Sequence, residues 1–138
     1  MSAIDKWVTN PVWHRDDRGE MAIYDPLPFK PARAFTITAV PRSEVRGKHA
    51  HRTCEQYVIC ATGWFQMKLR RPWERNATLL KLLTGEAVHV PPMTWIELLE
   101  FSTNGTAVVL ASHGYDEADI ITDKKKFNAT ARKRPSTT

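Results

Sequence analysis

Cysteine is scarce: the 138-residue chain has two, Cys54 and Cys60, and no Cys-x-x-Cys pair. That argues against a disulfide framework and for a reducing cytoplasm. No apolar run approaches the roughly 18–20 residues that span a bilayer. The opening stretch, MSAIDKWVTNPVWHRDD, lacks a basic segment followed by an apolar one, so no secretory signal is expected. Long helical periodicity is missing. Acidic residues are missing after Asp123. What is present is ordinary for one globular domain: 42% hydrophobic and 25% charged residues, a balance that excludes wholesale disorder.

The net charge of +5 divides unevenly. Residues 124–138 carry six basic side chains and no acid, whereas residues 1–123 carry 14 basic and 15 acidic ones. The basic character therefore belongs to the tail, and a whole-domain nucleic-acid footprint is not supported. Residues 1–127 read as one domain, and residues 128–138 as a basic tail without fixed structure.

Short apolar, β-branched stretches recur at intervals of about ten residues, punctuated by Gly, Pro and Asn: Ala34–Val40, Glu55–Cys60, Trp64–Leu69, Leu79–Leu83, Ala87–Val90, Trp95–Phe101 and Ala107–Ala111. This spacing predicts an all-β sandwich or barrel. Hairpins are expected at Ala61-Thr62-Gly63 and at Asn104-Gly105. One helix is expected within Asp116–Phe127, although Ile120-Ile121-Thr122 disfavours it.

The chemistry concentrates in Arg46-Gly47-Lys48-His49-Ala50-His51-Arg52-Thr53-Cys54-Glu55. Residues i and i+2 of a strand share a face, so His49 and His51 project together. A His-x-His pair also occurs on exposed strand faces, where it does nothing. Here it follows Arg-Gly and precedes Glu55, which leaves three functions open: acid–base catalysis, a metal site of His49, His51 and Glu55, and ligand binding without catalysis. His14, His89 and His113 stand alone and read as structural or surface residues.

The run His49-x-His51-x3-Glu55-x7-Gly63 resembles the first motif of the cupin superfamily. Gly85-x5-Pro91 resembles the start of the second, but Met93 and Ile96 occupy its later Gly and His positions. A longer set is similar to the dTDP-4-keto-6-deoxyglucose 3,4-ketoisomerases: Asp16-Asp17-Arg18-Gly19, Arg46–His51, Glu55-Gln56, Val90–Trp95, Val109–Ser112 and Tyr115–Ile121. This resemblance implies a cupin-type jelly roll, or β-roll, that forms a strand-exchanged homodimer. It implies an isomerase that moves the ketone of a dTDP-linked 6-deoxyhexose from C4 to C3, with no cofactor, no metal and no nucleic-acid or membrane partner, in deoxysugar biosynthesis. With Ile96 in place of a histidine, a metal-free site is favoured.

By that resemblance His49 and His51 are the catalytic pair, with His51 expected to be the C3 base. Substrate contacts are expected from Arg46 as a diphosphate clamp, from Arg18 and Arg33 as weaker clamps, and from Tyr57, Trp95 and Glu97 around the sugar. Each has an ordinary alternative: ion pairing for the arginines, packing for Tyr57 and Trp95. The family often carries a tyrosine where Phe35 stands, which leaves the source of an enediolate donor open. The C4 stereochemistry of the product is not legible.

Overall fold

The strands form where side chains alternate between core and solvent. β7 (Trp64–Arg70) buries Phe65, Met67 and Leu69 and turns Gln66, Lys68 and Arg70 outward; β8 (Thr78–Leu83) buries Leu80 and Leu82 and exposes Leu79 and Leu83. The computed structural model describes residues 6–133, and among them the chain is mostly β with one α-helix. The remaining strands are β1 (Val8–Thr9), β2 (Val12–Asp16), β3 (Gly19–Ile23), β4 (Arg33–Ile37), β5 (Arg46–His51), β6 (Gln56–Thr62), β9 (Ala87–Val90), β10 (Trp95–Leu99), β11 (Thr106–Ala111) and β12 (Ile120–Ile121); the helix is α1 (Lys124–Ala129).

All pairings are antiparallel. One sheet runs β1-β9-β6-β11-β4, the other β12-β5-β10-β7-β8, and β2-β3 form a separate hairpin. The two sheets face each other across a core of Val58, Cys60, Phe65, Met67, Leu69, Leu82, Val88, Leu98, Phe101 and Val109. Phe65 and Phe101 stack at its centre, 4.8 Å between centroids. This is the cupin-like β fold expected from the sequence. Outside it, Tyr24, Leu27 and Phe29 cover the first sheet, while Phe127 of α1 packs on Ala50, Trp95 and Ile121 behind the second.

Neither expected hairpin forms. β6 and β7 lie in different sheets, and so do β10 and β11. The chain changes sheets at both places, and the two corners lock together: Trp64 N donates to Ser102 Oγ at 2.9 Å, Ser102 N donates to Trp64 O at 2.9 Å, and Thr62 Oγ1 donates to Asn104 O. Gly63, at φ +64°, fits there because a Cβ would collide with the Ser102 and Asn104 side chains. The helix also starts later than expected. Ile120 and Ile121 pair with β5 instead, and α1 begins after Asp123, whose carboxylate caps Lys125 N at 2.9 Å. Residues 128–133, expected to begin a tail, hold the end of α1 and a 3-10 turn; residues 134–138 lie outside the described residues.

Candidate active site

A β-bulge aims the histidines. β5 pairs with β10 so that Gly47 opposes Glu97 and His49 opposes Ile96, which leaves Lys48 as the extra residue. Gly47 and Lys48 both have positive φ, +88° and +59°. A Cβ on Gly47 would sit 2.9 Å from the Ile96 carbonyl oxygen, so glycine is needed for the close approach. Past the bulge, Ala50 faces outward to Trp95 and Phe127. His49 and His51 face inward, their rings edge to face with centroids 4.9 Å apart.

The backbone around His51 is held on both sides. Met93 N donates to His51 O at 2.7 Å, and the Arg71 guanidinium donates to Pro92 O and Met93 O at 3.2 Å each, fixing that turn. On the other side Arg52 N donates to Asp119 O at 2.8 Å. The buried Asp119 carboxylate accepts from Thr53 N at 2.8 Å, Thr53 Oγ1 at 2.7 Å and Cys54 N at 3.0 Å. Burial works against its charge, but these hydrogen bonds outweigh it and hold the carboxyl below its usual range. The sequence offered Asp119 only as part of a motif; its partners Thr53 and Cys54 are 66 and 65 residues away in the chain.

Burial lowers the proton affinity of both imidazoles. His51 is pushed down to about 4, by burial first and then by His49 and Arg33, while Asp119 acts in the opposite direction. His49 is lowered by burial, against a hydrogen bond with the Gly47 backbone. At neutral pH both rings are uncharged, so each can accept a proton. His49 lines a cavity of about 150 Å³ between the sheets, together with Arg46, Gly47, Phe35, Ile37, Gln56, Val58 and Ile96. Arg33, two residues before Phe35 on the same face of β4, sets its guanidinium over the Phe35 and Tyr115 rings at 5.3 and 5.8 Å. Its buried Nε has no hydrogen-bond partner.

Of the expected site residues, His49, His51, Arg46 and Arg33 thus stand along the space between the sheets, with Arg33 beside His51 and Arg46 at the other end of β5, lining the cavity with His49. The others do not. Tyr57 lies on the outer face of the first sheet, edge to face with Tyr24. Trp95 and Glu97 lie on the outer face of the second, where Trp95 Nε1 donates to Glu97 Oε2 at 3.1 Å under α1. Arg18 stands in the β2-β3 turn, ion-paired with Asp16 at 2.6 Å and largely exposed. Glu55 also points away from the histidines: its carboxylate meets His89 Nε2 at 2.7 Å, so the His49–His51–Glu55 metal set is not assembled. Among the described residues no other group of three His, Cys, Asp or Glu side chains is placed to hold a metal ion.

Three comparisons place this geometry among known proteins. Residues 8–132 match the family model FdtA, described as WxcM-like, C-terminal. The chain is 29% identical over 119 residues to the TDP-4-oxo-6-deoxy-alpha-D-glucose-3,4-oxoisomerase of Aneurinibacillus thermoaerophilus, covering 81% of this chain and 82% of that one. Its fold is similar to a mutant of the 3,4-ketoisomerase QdtA from Thermoanaerobacterium thermosaccharolyticum in complex with TDP-4-keto-6-deoxyglucose, with a TM-score of 0.86, 26% identity and coverage of 92% and 94% of the two chains. It is also similar to the WlaRB TDP-quinovose 3,4-ketoisomerase of Campylobacter jejuni, with a TM-score of 0.81, 27% identity and coverage of 88% and 95%.

Proposed function

We infer the reaction from a plain premise: the chain belongs to the FdtA family, WxcM-like, C-terminal. It is a TDP-sugar 3,4-ketoisomerase, and its substrate is TDP-4-keto-6-deoxyglucose, whose ketone it moves from C4 to C3. The observation that carries this reading is the inward-facing pair of neutral imidazoles, 4.9 Å apart, in a chain whose relatives are 3,4-ketoisomerases.

His51 takes the proton from C3, which the neighbouring carbonyl acidifies. The C–H electron pair forms the C3–C4 double bond, and the carbonyl pair moves onto the C4 oxygen as an enediolate. His49 donates to that oxygen. Transfer of the O3 proton to O4 and delivery of a proton to C4 then leave the ketone at C3. A base with an affinity as low as that of His51 is weak in the empty site. As negative charge grows on the sugar, it stabilises the imidazolium forming beside it, so base strength rises along the reaction. Arg46, which lines the cavity with His49, is the diphosphate clamp, and Arg33, with its unpartnered Nε beside His51, is a second guanidinium for the anionic substrate. The enzyme works in the cytoplasm, in line with two cysteines that are both unpaired, in deoxysugar synthesis.

The decisive assay supplies TDP-4-keto-6-deoxyglucose to the purified protein and follows the carbonyl by NMR. The 3-keto product is expected, at a rate unchanged by a strong chelator, because Glu55 is engaged by His89 and not by the histidine pair. A rate abolished by chelation and restored by one divalent ion would favour a metal-dependent cupin.

The working unit is a homodimer built through strand exchange by the β2-β3 hairpin. That hairpin pairs with no other strand among the described residues, and Val12 and Met21 on it are each 60% exposed. Sedimentation analysis should return twice the chain mass, and Val12→Glu with Met21→Glu should return the monomer. A monomeric unaltered protein would refute the dimer.

A further inference from the structure

We propose that Gln56 is a further catalytic residue, its side-chain amide donating a hydrogen bond to the hexose oxygen on which the enediolate charge develops. The inference rests on the ketoisomerase reading above.

Gln56 opens β6 and sits in the middle of the first sheet, paired with Ala111 on one side and Val90 on the other. It shares a face with Val58 and Cys60, which belong to the core. It is 4% exposed and lines the same cavity as His49. Its amide makes no hydrogen bond to any other described side chain or backbone group. Of the other buried polar residues, His51 is the proposed base, whereas Thr94 Oγ1 donates to Pro91 O at 2.9 Å and Asp119 accepts three hydrogen bonds. Its nitrogen and oxygen are not sealed in the core: among the described residues the buried, unpartnered side-chain polar atom is Arg33 Nε, so the Gln56 amide opens onto the cavity. An unpartnered amide facing a cavity is accounted for when its partner is the ligand.

The placement suits the chemistry. His49 comes from the second sheet and Gln56 from the first, so a sugar ring in the cavity between the sheets has an imidazole on one side and a primary amide on the other. Most of the remaining wall is apolar: Phe35, Ile37, Val58, Ile96, Leu98 and Val109. Ring oxygens entering such a space need a protein donor. When the C3 proton leaves to His51, the C4 carbonyl oxygen gains the electron pair, and an N–H aimed at that oxygen bonds more strongly to the anion than to the ketone. That difference accelerates the step, whereas equal binding of both states would not. A neutral donor does this without adding a buried charge that would lower the affinity of the histidines further.

Two variants and four readouts test the role. Gln56→Met keeps an unbranched side chain and removes the donor. Its kcat should fall by about 10²–10³, the loss seen when one oxyanion donor is removed, with TDP affinity within about twofold of the unaltered enzyme. Its melting temperature without ligand should stay level, since the amide has no protein hydrogen bond to lose. Gln56→Glu puts an acceptor there at neutral pH and a donor once protonated. Its activity should be low at pH 7 and recover as the pH is lowered toward 5, where the unaltered enzyme gains nothing. A kcat within about threefold of normal in Gln56→Met would overturn the proposal. So would a melting temperature that falls together with activity and a Gln56→Glu variant with no recovery at low pH, because these mark a structural role. No turnover by the unaltered protein would instead overturn the ketoisomerase reading itself.

Discussion

Replacing His51 with asparagine should abolish exchange of the C3 proton of TDP-4-keto-6-deoxyglucose with deuterated solvent. The His51 backbone is fixed between the Met93 turn and Asp119, and the neighbouring His49 ring, edge to face at 4.9 Å, is given the enediolate oxygen and not C3 in the proposed reaction. General acid–base groups contribute about 10²–10⁴ in rate, and abstraction from carbon belongs at the upper end. His51→Asn should therefore lose about 10⁴ in kcat, or roughly 5 kcal/mol of transition-state stabilisation. Asparagine keeps a polar group of similar bulk, and the hydrogen bonds flanking His51 are made by backbone atoms, so the fold should survive. His49→Asn should lose less, about 10²–10³, if its part is to donate to the enediolate. It should slow exchange without erasing it. Exchange at the normal rate in His51→Asn would remove His51 as the base and return the cluster to a binding role.

Stability should fall as the solution is acidified from about pH 6.5 to about pH 4, and His51 should be a main reason. Burial, with His49 and Arg33, pushes the folded-state value of His51 down to about 4, against an ordinary 6.5. Between those values the unfolded chain holds a proton that the folded chain does not, so protonation favours unfolding. The shift corresponds to a penalty of roughly 3 kcal/mol, absent above about pH 6.5 and complete below about pH 4. His49, lowered in the same direction by burial, adds to it. Denaturant midpoints measured across this window should slope less steeply in His51→Asn than in the unaltered protein; identical slopes would show that His51 titrates normally. Activity should follow the same residue. The acid limb of kcat/KM should lie well below 6.5, since His51 stays an available base until the pH approaches its lowered value.

The sequence by itself determined the strands and the shared face of the two histidines. β-branched and aromatic runs bounded by Gly, Pro and Asn form strands in almost any all-β arrangement, and β6 through β11 lie close to where those runs stand. His49 and His51 share a face because a two-residue period is local geometry. Tertiary structure decided which strands are neighbours. Ala61-Thr62-Gly63 and Asn104-Gly105 carry turn residues that suit a hairpin and a sheet-changing corner alike, and only the interlock of Trp64 with Ser102 separates the two. It also decided which face is inside. β6 is buried on both faces from Gln56 to Cys60, so alternation tells that Tyr57 and Gln56 point oppositely, not which of them meets the cavity. The same holds on β10, where Ile96 faces the histidines and Trp95 and Glu97 lie under a helix contributed from 30 residues further along. Face sharing is set within a few residues by backbone geometry. Inside and outside are set by what the rest of the chain brings to each face, and that covering here comes from Tyr24, Leu27, Phe29 and Phe127, elements distant in sequence.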